Sequence, residues 1–164
     1  MPRKPYVGGN WKMNTAGVTG PALAREVAAS AQANPGCEVA VFVPFPYLWA
    51  VGEAIGSAPV ALGAQDCYFE PSGAFTGEVS LGMLQDCRVT DVLTGHSERR
   101  HVLGETDELI NRKTLAVLEA GVTCVLCIGE LLEEREVGRT DEVNERQLRA
   151  GLAGVTAVQM ARVV

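Results

Sequence analysis

Residues 106–130 read TDELINRKTLAVLEAGVTCVLCIGE, and this stretch predicts one complete helix followed by one complete strand. Thr106 is the expected N-cap, and the acidic residues that follow it lie where negative charge favours the helix dipole. Gly121 stands where helices commonly end in a left-handed residue. The apolar run at 122–128 predicts a strand that is buried on both faces.

The same alternation of strand and helix extends along the rest of the chain. Further helices are predicted at 21–31, which begins with a proline, and from Thr140, whose acidic first turn opens a helix reaching Leu152. Residues 162–164 predict the opening of a sixth strand. Such alternation implies an α/β fold with a parallel sheet in one domain, residues 1–164. The earlier strands are predicted at 6–10, 39–43, 60–64 and 92–94.

The composition is that of a globular protein with an acidic surface. Hydrophobic residues make up 47% of the chain, which is enough for a core, and the net charge is -6. Nucleic acids and anionic membranes are bound through basic patches, so neither is an expected partner. The apolar stretch at 40–51 contains two prolines and is too short to cross a bilayer. No signal peptide is recognised, and a cytoplasmic location is expected.

The five cysteines are an odd number without a framework spacing, which predicts free thiols in a reducing compartment. Cys124 and Cys127 form a CxxC motif, which by itself is typical of a redox pair or half of a zinc site. Residues three apart on the predicted strand at 122–128 point to opposite faces, so no shared metal is expected. No nucleotide-binding glycine motif is found, and no cofactor is predicted.

Polar residues follow the first predicted strand at its carboxyl end, where ligands bind in parallel α/β folds. Lys12 comes directly after this strand, with Asn10 two residues before it. A lone lysine is usually a solvated surface residue. At a strand end, its ammonium group also offers a point charge to a phosphate or to a developing oxyanion.

The fourth predicted strand is followed by His96, which is read either as a core histidine or as a hydrogen-bond donor to a carbonyl or enolate oxygen. Gly95 gives room at the strand end, and Ser97 is the expected N-cap of a following helical turn. Glu98 is read either as a surface charge or as a partner that holds Lys12 in place.

A glycine-rich loop follows the third predicted strand and is read either as flexible or as a functional or interface loop. Its central residues are Phe75, Thr76, Gly77 and Glu78.

Four motifs together resemble the triosephosphate isomerase family, in its order and at its spacing. They are GNWKMN at 9–14, GAFTGEVS at 73–80, GHSERR at 95–100 and CIGE at 127–130. The resemblance runs from Tyr6 to Val164 and implies a (β/α)8 TIM barrel, which typically takes about 250 residues. An incomplete barrel is therefore expected, with about five βα units and the start of a sixth strand.

The resemblance implies an isomerase of glycolysis and gluconeogenesis that interconverts dihydroxyacetone phosphate and glyceraldehyde 3-phosphate through an enediolate. Asn10 and Lys12 match the family's substrate-binding pair, and His96 matches the catalytic histidine that polarises the substrate carbonyl. Glu98 and Cys127 match residues that support this site. No metal ion is implied.

The resemblance also implies contacts with a second chain. The loop at 73–80 matches the loop that reaches a partner subunit, so a homo-oligomer is expected through this loop and the open edges of the sheet. Asp66 stands where the family is expected to have asparagine, a difference that bears on a subunit contact.

The family's general base is a glutamate expected just beyond Val164, together with the lid and the phosphate-binding loops. The chain alone is therefore expected to be inactive and to bind triose phosphate weakly or not at all. One alternative is a self-associating or complementing assembly module that is not an enzyme. Another is an open, flavodoxin-like domain that binds a phosphate ligand.

Overall fold

The computed structural model describes residues 3–164, in which strands and helices alternate as expected. The strands are β1 (Tyr6–Asn10), β2 (Glu38–Val43), β3 (Val60–Ala64), β4 (Asp91–Thr94) and β5 (Thr123–Leu126). The α-helices are α1 (Thr19–Ala33), α2 (Leu48–Ile55), α3 (Leu81–Asp86), α4 (Ser97–His101), α5 (Asp107–Glu119), α6 (Leu132–Glu136) and α7 (Thr140–Gly151).

Neighbouring strands are parallel and follow one another in chain order, β1-β2-β3-β4-β5. The prediction of an incomplete (β/α)8 topology is confirmed. A flavodoxin-like sheet has the order 2-1-3-4-5, with the second strand at the edge. The observed order therefore excludes the flavodoxin-like alternative.

The chain divides into two compact units, Met1–Val92 and Leu93–Val164. In the first unit, one face of α1 is buried through small alanines and one face of α2 through larger aliphatic residues. Small residues on α1 let the two helices approach closely. The buried residues are Ala24, Ala28 and Ala31 on α1, and Leu48, Val51 and Ile55 on α2.

The ring of Phe42, which is 1% exposed, fills the space beside β1 and β3 in the first unit. A Cβ atom at Gly63 would lie 2.4 Å from Cδ1 of Phe42, and one at Gly8 would lie 3.0 Å from Cε2. The side chain of β2 therefore occupies room that the two glycines leave open on the flanking strands.

In the second unit, α5 and α7 pack together, and the local signals in α5 act as predicted. Thr106 Oγ1 accepts the backbone N–H of Leu109 at 3.3 Å, which makes it the N-cap. Gly121 has a φ of 75°, the left-handed conformation that a residue without a Cβ adopts at least cost. Both predictions are confirmed.

The end of the chain pairs beside β5, as expected for the start of a sixth strand. The N–H of Val164 donates to the carbonyl of Cys124 at 2.9 Å, and the N–H of Leu126 donates to the carbonyl of Val164 at 3.0 Å. Arg162 ends a short 3-10 turn (Gln159–Arg162), so the pairing begins one residue later than predicted.

β5 ends at Leu126 and not at residue 128. Ile128 is 41% exposed, so the apolar run continues past the point where the backbone remains a buried strand. The assumption that Cys124 and Cys127 lie on one strand is therefore wrong for Cys127. Within residues 3–164, no helix has the length and apolar character needed to cross a membrane.

Candidate active site

The turn after β1 is fixed by side chains that bind its backbone. Asn10 Oδ1 accepts the backbone N–H of Lys12 at 2.8 Å. Gln65, which follows β3, donates from Nε2 to the carbonyl of Lys12 at 2.8 Å and to the carbonyl of Phe42 at 3.0 Å. The sequence alone indicates no role for Gln65, because an amide after a strand resembles any polar loop residue.

Lys12 has a φ of 54°, in the left-handed region that non-glycine residues rarely adopt. Such a conformation costs of order 1–3 kcal/mol and persists only where the surroundings impose it. The hydrogen bond that the Lys12 N–H donates to Asn10 and the one that its carbonyl accepts from Gln65 supply that constraint. The structure thus fixes the main chain of Lys12 while its side chain is exposed.

Thr15, in the same turn, has a φ of 74°, and its Oγ1 is buried with no hydrogen-bond partner among residues 3–164. A β-branched residue is strained in this conformation, and glycine is not. We expect Thr15→Gly to raise the free energy of unfolding by about 1 kcal/mol, measured by urea denaturation.

Ala16→Gly is the matched control for this substitution, because Ala16 has no positive φ to relieve. It should lower stability slightly, since glycine gains entropy in the unfolded chain. A loss of stability in Thr15→Gly as large as that in Ala16→Gly would contradict the strain at Thr15.

His96 caps α4, and the prediction that Ser97 is the cap is wrong. His96 Nδ1 accepts the backbone N–H of Glu98 at 3.3 Å, while Ser97 is the first helical residue. An imidazole nitrogen that accepts an N–H carries no proton, so Nε2 is the donor of the neutral ring. Glu98 Oε2 lies 3.4 Å from the same Nδ1, and with Nδ1 as acceptor this is a contact and not a hydrogen bond.

The guanidinium of Arg100 joins the backbone beside His96 to that of Cys127. Its Nε donates to the carbonyl of Gly95 at 2.7 Å, and its Nη2 donates to the carbonyl of Cys127 at 3.1 Å. Its Nη1 donates to Asp107 at 2.6 Å. Gly95 has a φ of 68°, and a Cβ there would lie 2.7 Å from Nη2. The GHSERR motif by itself indicates no role for Arg100, because its contacts join three separate segments.

Cys127 lies just beyond β5 and is half-buried. Burial raises the pKa of its thiol to about 11, with a further rise from Cys124 and an opposing effect of Arg100. The thiol is therefore protonated at neutral pH, which suits a supporting role and not a nucleophile. Cys124 is buried, with its Sγ 3.3 Å from Thr94 Oγ1. No group of His, Cys, Asp and Glu able to hold a metal occurs in the part of the chain that the structure describes.

The loop between β5 and α6 is held by Gln147 of α7, which is 2% exposed. Gln147 accepts the N–H of Gly129 at 2.9 Å and donates to the carbonyl of Gly129 at 3.1 Å. The neighbouring Glu130 accepts from Arg135 at 2.7 Å and from Thr140 at 3.2 Å. A hydrogen bond from its own backbone, then the one from Arg135, lowers the pKa of Glu130.

The loop after β3 is ordered by contacts of its own. The N–H of Tyr68 donates to the carbonyl of Val79 at 2.8 Å, and the ring centroids of Tyr68 and Phe75 are 4.7 Å apart. Thr76 and Gly77 at its tip are exposed. A pocket of about 100 Å³ lies beside it, lined by Tyr68, Glu70, Pro71, Ser72, Gly73, Phe75, Glu78, Ser80 and Met83.

The predicted site residues occupy both compact units. The first unit contains the loop at 73–80 together with Asn10 and Lys12, where the side chain of Asn10 accepts the backbone N–H of Lys12. The second contains His96 and Glu98, which touch, and Cys127, linked through Arg100 to the residue before His96. The pairing of Glu98 with Lys12 stays a prediction.

The comparisons with known proteins agree with one another. A family model described as triosephosphate isomerase matches residues 5–164. The triosephosphate isomerase of Carboxydothermus hydrogenoformans is 53% identical over 157 residues, which cover 96% of this chain and 62% of that protein. That of Herminiimonas arsenicoxydans is 45% identical over 162 residues, covering 99% and 65%. That of Nitratidesulfovibrio vulgaris is 50% identical over 155 residues, covering 93% and 62%. The chain spans slightly less than two thirds of the length of these relatives.

Proposed function

Because this chain belongs to the triosephosphate isomerase family, we propose that it forms the substrate-binding part of a site that interconverts dihydroxyacetone phosphate and glyceraldehyde 3-phosphate. The observation that carries the proposal is the turn after β1, in which Asn10 and Gln65 hold Lys12 in a strained conformation. Strain of this kind is maintained at ligand sites. The protein acts in the cytoplasm, in glycolysis and gluconeogenesis.

In this mechanism the residues of the chain stabilise charge on the substrate oxygens. The ammonium of Lys12 meets the phosphate and the negative charge that develops on the enediolate. His96 donates from Nε2 to the carbonyl oxygen of the substrate, because its Nδ1 is engaged with the N–H of Glu98. Cys127 supports the site as a neutral thiol.

The reaction also needs a base that removes the proton beside the carbonyl. Asn10 is a neutral amide, Lys12 is a cation, and His96 is the donor to the carbonyl, so none of them takes this role. We propose that a polypeptide of residues 1–164 alone is inactive. General acid–base catalysis contributes about 10²–10⁴-fold, and positioning by a lid and phosphate loops adds to this.

A second candidate function is assembly without catalysis. Among the described residues, β1 pairs only with β2, so its other edge carries unpaired backbone groups. Such an edge is a template for another strand. Phe75, which is 40% exposed in the loop at 73–80, offers a further contact. We propose that the chain associates with a second copy or with a complementing chain through this edge and this loop.

Isomerase activity should appear when residues 1–164 are mixed with the C-terminal part of the Carboxydothermus hydrogenoformans enzyme that this chain does not match. Light scattering would follow the association and a coupled assay the turnover of glyceraldehyde 3-phosphate. Lys12→Met should lower kcat/KM of the mixture by about 10²-fold or more. Lys4→Met, an exposed lysine before β1, is the matched control and should change little.

Each outcome separates the candidates. Turnover by residues 1–164 alone would contradict the proposed inactivity. A stable complex with no turnover would contradict the isomerase proposal and favour assembly. Turnover that is equally insensitive to Lys12→Met and Lys4→Met would show that Lys12 has no role in it.

A further inference from the structure

A partly buried hydrogen bond joins the amino ends of two strands, away from the carboxyl ends where the candidate site residues lie. The phenol of Tyr6, the first residue of β1, donates to Oδ1 of Asp91, the first residue of β4, at 2.9 Å. Thr90 Oγ1 donates to Oδ2 of the same carboxyl group at 2.7 Å. Asp91 is 5% exposed, so both oxygens of a buried carboxyl group are engaged.

This bond crosses the first compact unit. In a flat sheet, β1 and β4 would be three strand spacings apart, about 14 Å. The ladder aligns Asp91 with Gly63, Gly63 with Phe42 and Phe42 with Asn10. Asp91 nevertheless meets Tyr6, four residues before Asn10. The strands of this unit are therefore inclined and curved, and the Tyr6–Asp91 bond spans that curve.

The surroundings of Asp91 disfavour its charged form, because the effect of burial outweighs that of its two hydrogen bonds. Burial raises the pKa of Asp91, the hydrogen bonds from Thr90 and Tyr6 oppose this rise, and the negative charge of Glu38 on β2 adds to it. β3 contains no titratable residue, and Arg3 and Lys4, on the segment before β1, are exposed. Burial also raises the pKa of Tyr6, so its phenol keeps its proton as the donor.

We propose that the Tyr6–Asp91 hydrogen bond is a proton-controlled strut across the amino ends of β1 to β4. When Asp91 takes a proton from water, its Oδ2–H donates to Thr90 Oγ1, while Tyr6 still donates to Oδ1. When Asp91 loses that proton, the same two contacts remain, and a buried negative charge is added beside Glu38. The geometry therefore survives both states, and the stability of the first unit changes between them.

The sign follows from the direction of the shift. The folded state holds the Asp91 proton more tightly than the unfolded chain, in which an aspartate has a pKa of about 3.9. The buried Asp91 carboxyl group thus contributes its full stability below that value, and this contribution is lost as pH rises through the folded-state pKa of Asp91. Most native carboxylates act in the opposite direction.

Asp91→Asn tests the strut, because the amide still accepts from Tyr6 and donates to Thr90 Oγ1 but cannot ionise. The melting temperatures of wild type and variant would be compared at steps from pH 4 to pH 8. We expect Asp91→Asn to melt above wild type at pH 8 and to lose this advantage towards pH 4. Asp86→Asn, the same substitution at an exposed residue of the first unit, should show no such trend. A pH-independent difference for Asp91→Asn would overturn the proposal.

Tyr6→Phe provides a second test if Asp91→Asn does not fold. Removal of the phenol leaves one oxygen of Asp91 without its donor, which costs more when the carboxyl group is charged. Its melting temperature should therefore fall further at pH 8 than at pH 4. The ¹³C resonance of the Asp91 carboxyl in the wild-type protein should titrate above pH 3.9. An equal fall at both pH values, or titration at or below that value, would also refute the strut.

Discussion

Gly63→Ala is expected to lower the free energy of unfolding by about 1–3 kcal/mol, because the new methyl group overlaps a ring that has no room to move. The added Cβ would lie 2.4 Å from Cδ1 and 2.6 Å from Cε1 of Phe42. The same ring also lies close to Gly8, where a Cβ atom would be 3.0 Å from Cε2. Urea denaturation followed by circular dichroism would measure the loss.

Two further variants identify the cause of that loss. At Gly9, on β1, a Cβ would meet only the carbonyl of Ala40 at 3.7 Å, an ordinary contact. Gly9→Ala should therefore cost much less than Gly63→Ala. Phe42→Leu removes the ring atoms that the new methyl group would overlap. The double variant of Phe42→Leu and Gly63→Ala should therefore lose less stability than the two single variants lose in total. Additive losses would mean that Phe42 is not the obstacle.

Arg100→Ala is expected to lower the free energy of unfolding by about 3–5 kcal/mol, because it removes the cation of a buried ion pair and leaves its acidic partner buried. The Arg100 side chain is 6% exposed, and its partner Asp107 is 15% exposed. The carbonyls of Gly95 and Cys127 lose their donors as well. Thermal and urea denaturation of the full chain would both report the loss.

Arg146 is the matched control for Arg100, since it pairs with the other oxygen of the same acid. Its Nη1 lies 2.6 Å from Asp107 Oδ2, but its side chain is 56% exposed. Exposed ion pairs contribute about 0–1 kcal/mol, so Arg146→Ala should be mild. Equal losses in the two variants would show that burial does not set the value of these pairs.

The sequence predicted the features that depend on neighbours along the chain. The apolar runs at 6–10 and 60–64 became strands with those bounds. Thr106 is the N-cap of α5, and Gly121 adopts the left-handed conformation after its last residue. Both roles depend only on residues within one helical turn, so the sequence could predict them. The family resemblance then gave the order of the whole sheet.

Features that depend on distant contacts could not be predicted. Ser97 is the better N-cap by residue type. The backbone after β4 instead places the imidazole of His96 where its Nδ1 accepts the N–H of Glu98. The contacts of Gln65 with Lys12 join residues 53 positions apart, and those of Tyr6 with Asp91 join residues 85 apart. No local pattern indicates such pairs.

The fixed main chain of Lys12 has a consequence for ligand affinity. Because Asn10 and Gln65 already hold its backbone, the proposed binding of a phosphate at Lys12 would restrict only the rotation of one side chain. Ordering a lysine side chain costs up to about 2 kcal/mol, whereas a flexible backbone would add about 1–2 kcal/mol for every residue ordered. Most of the conformational entropy that ordering this residue costs is thus lost during folding and not when a ligand binds.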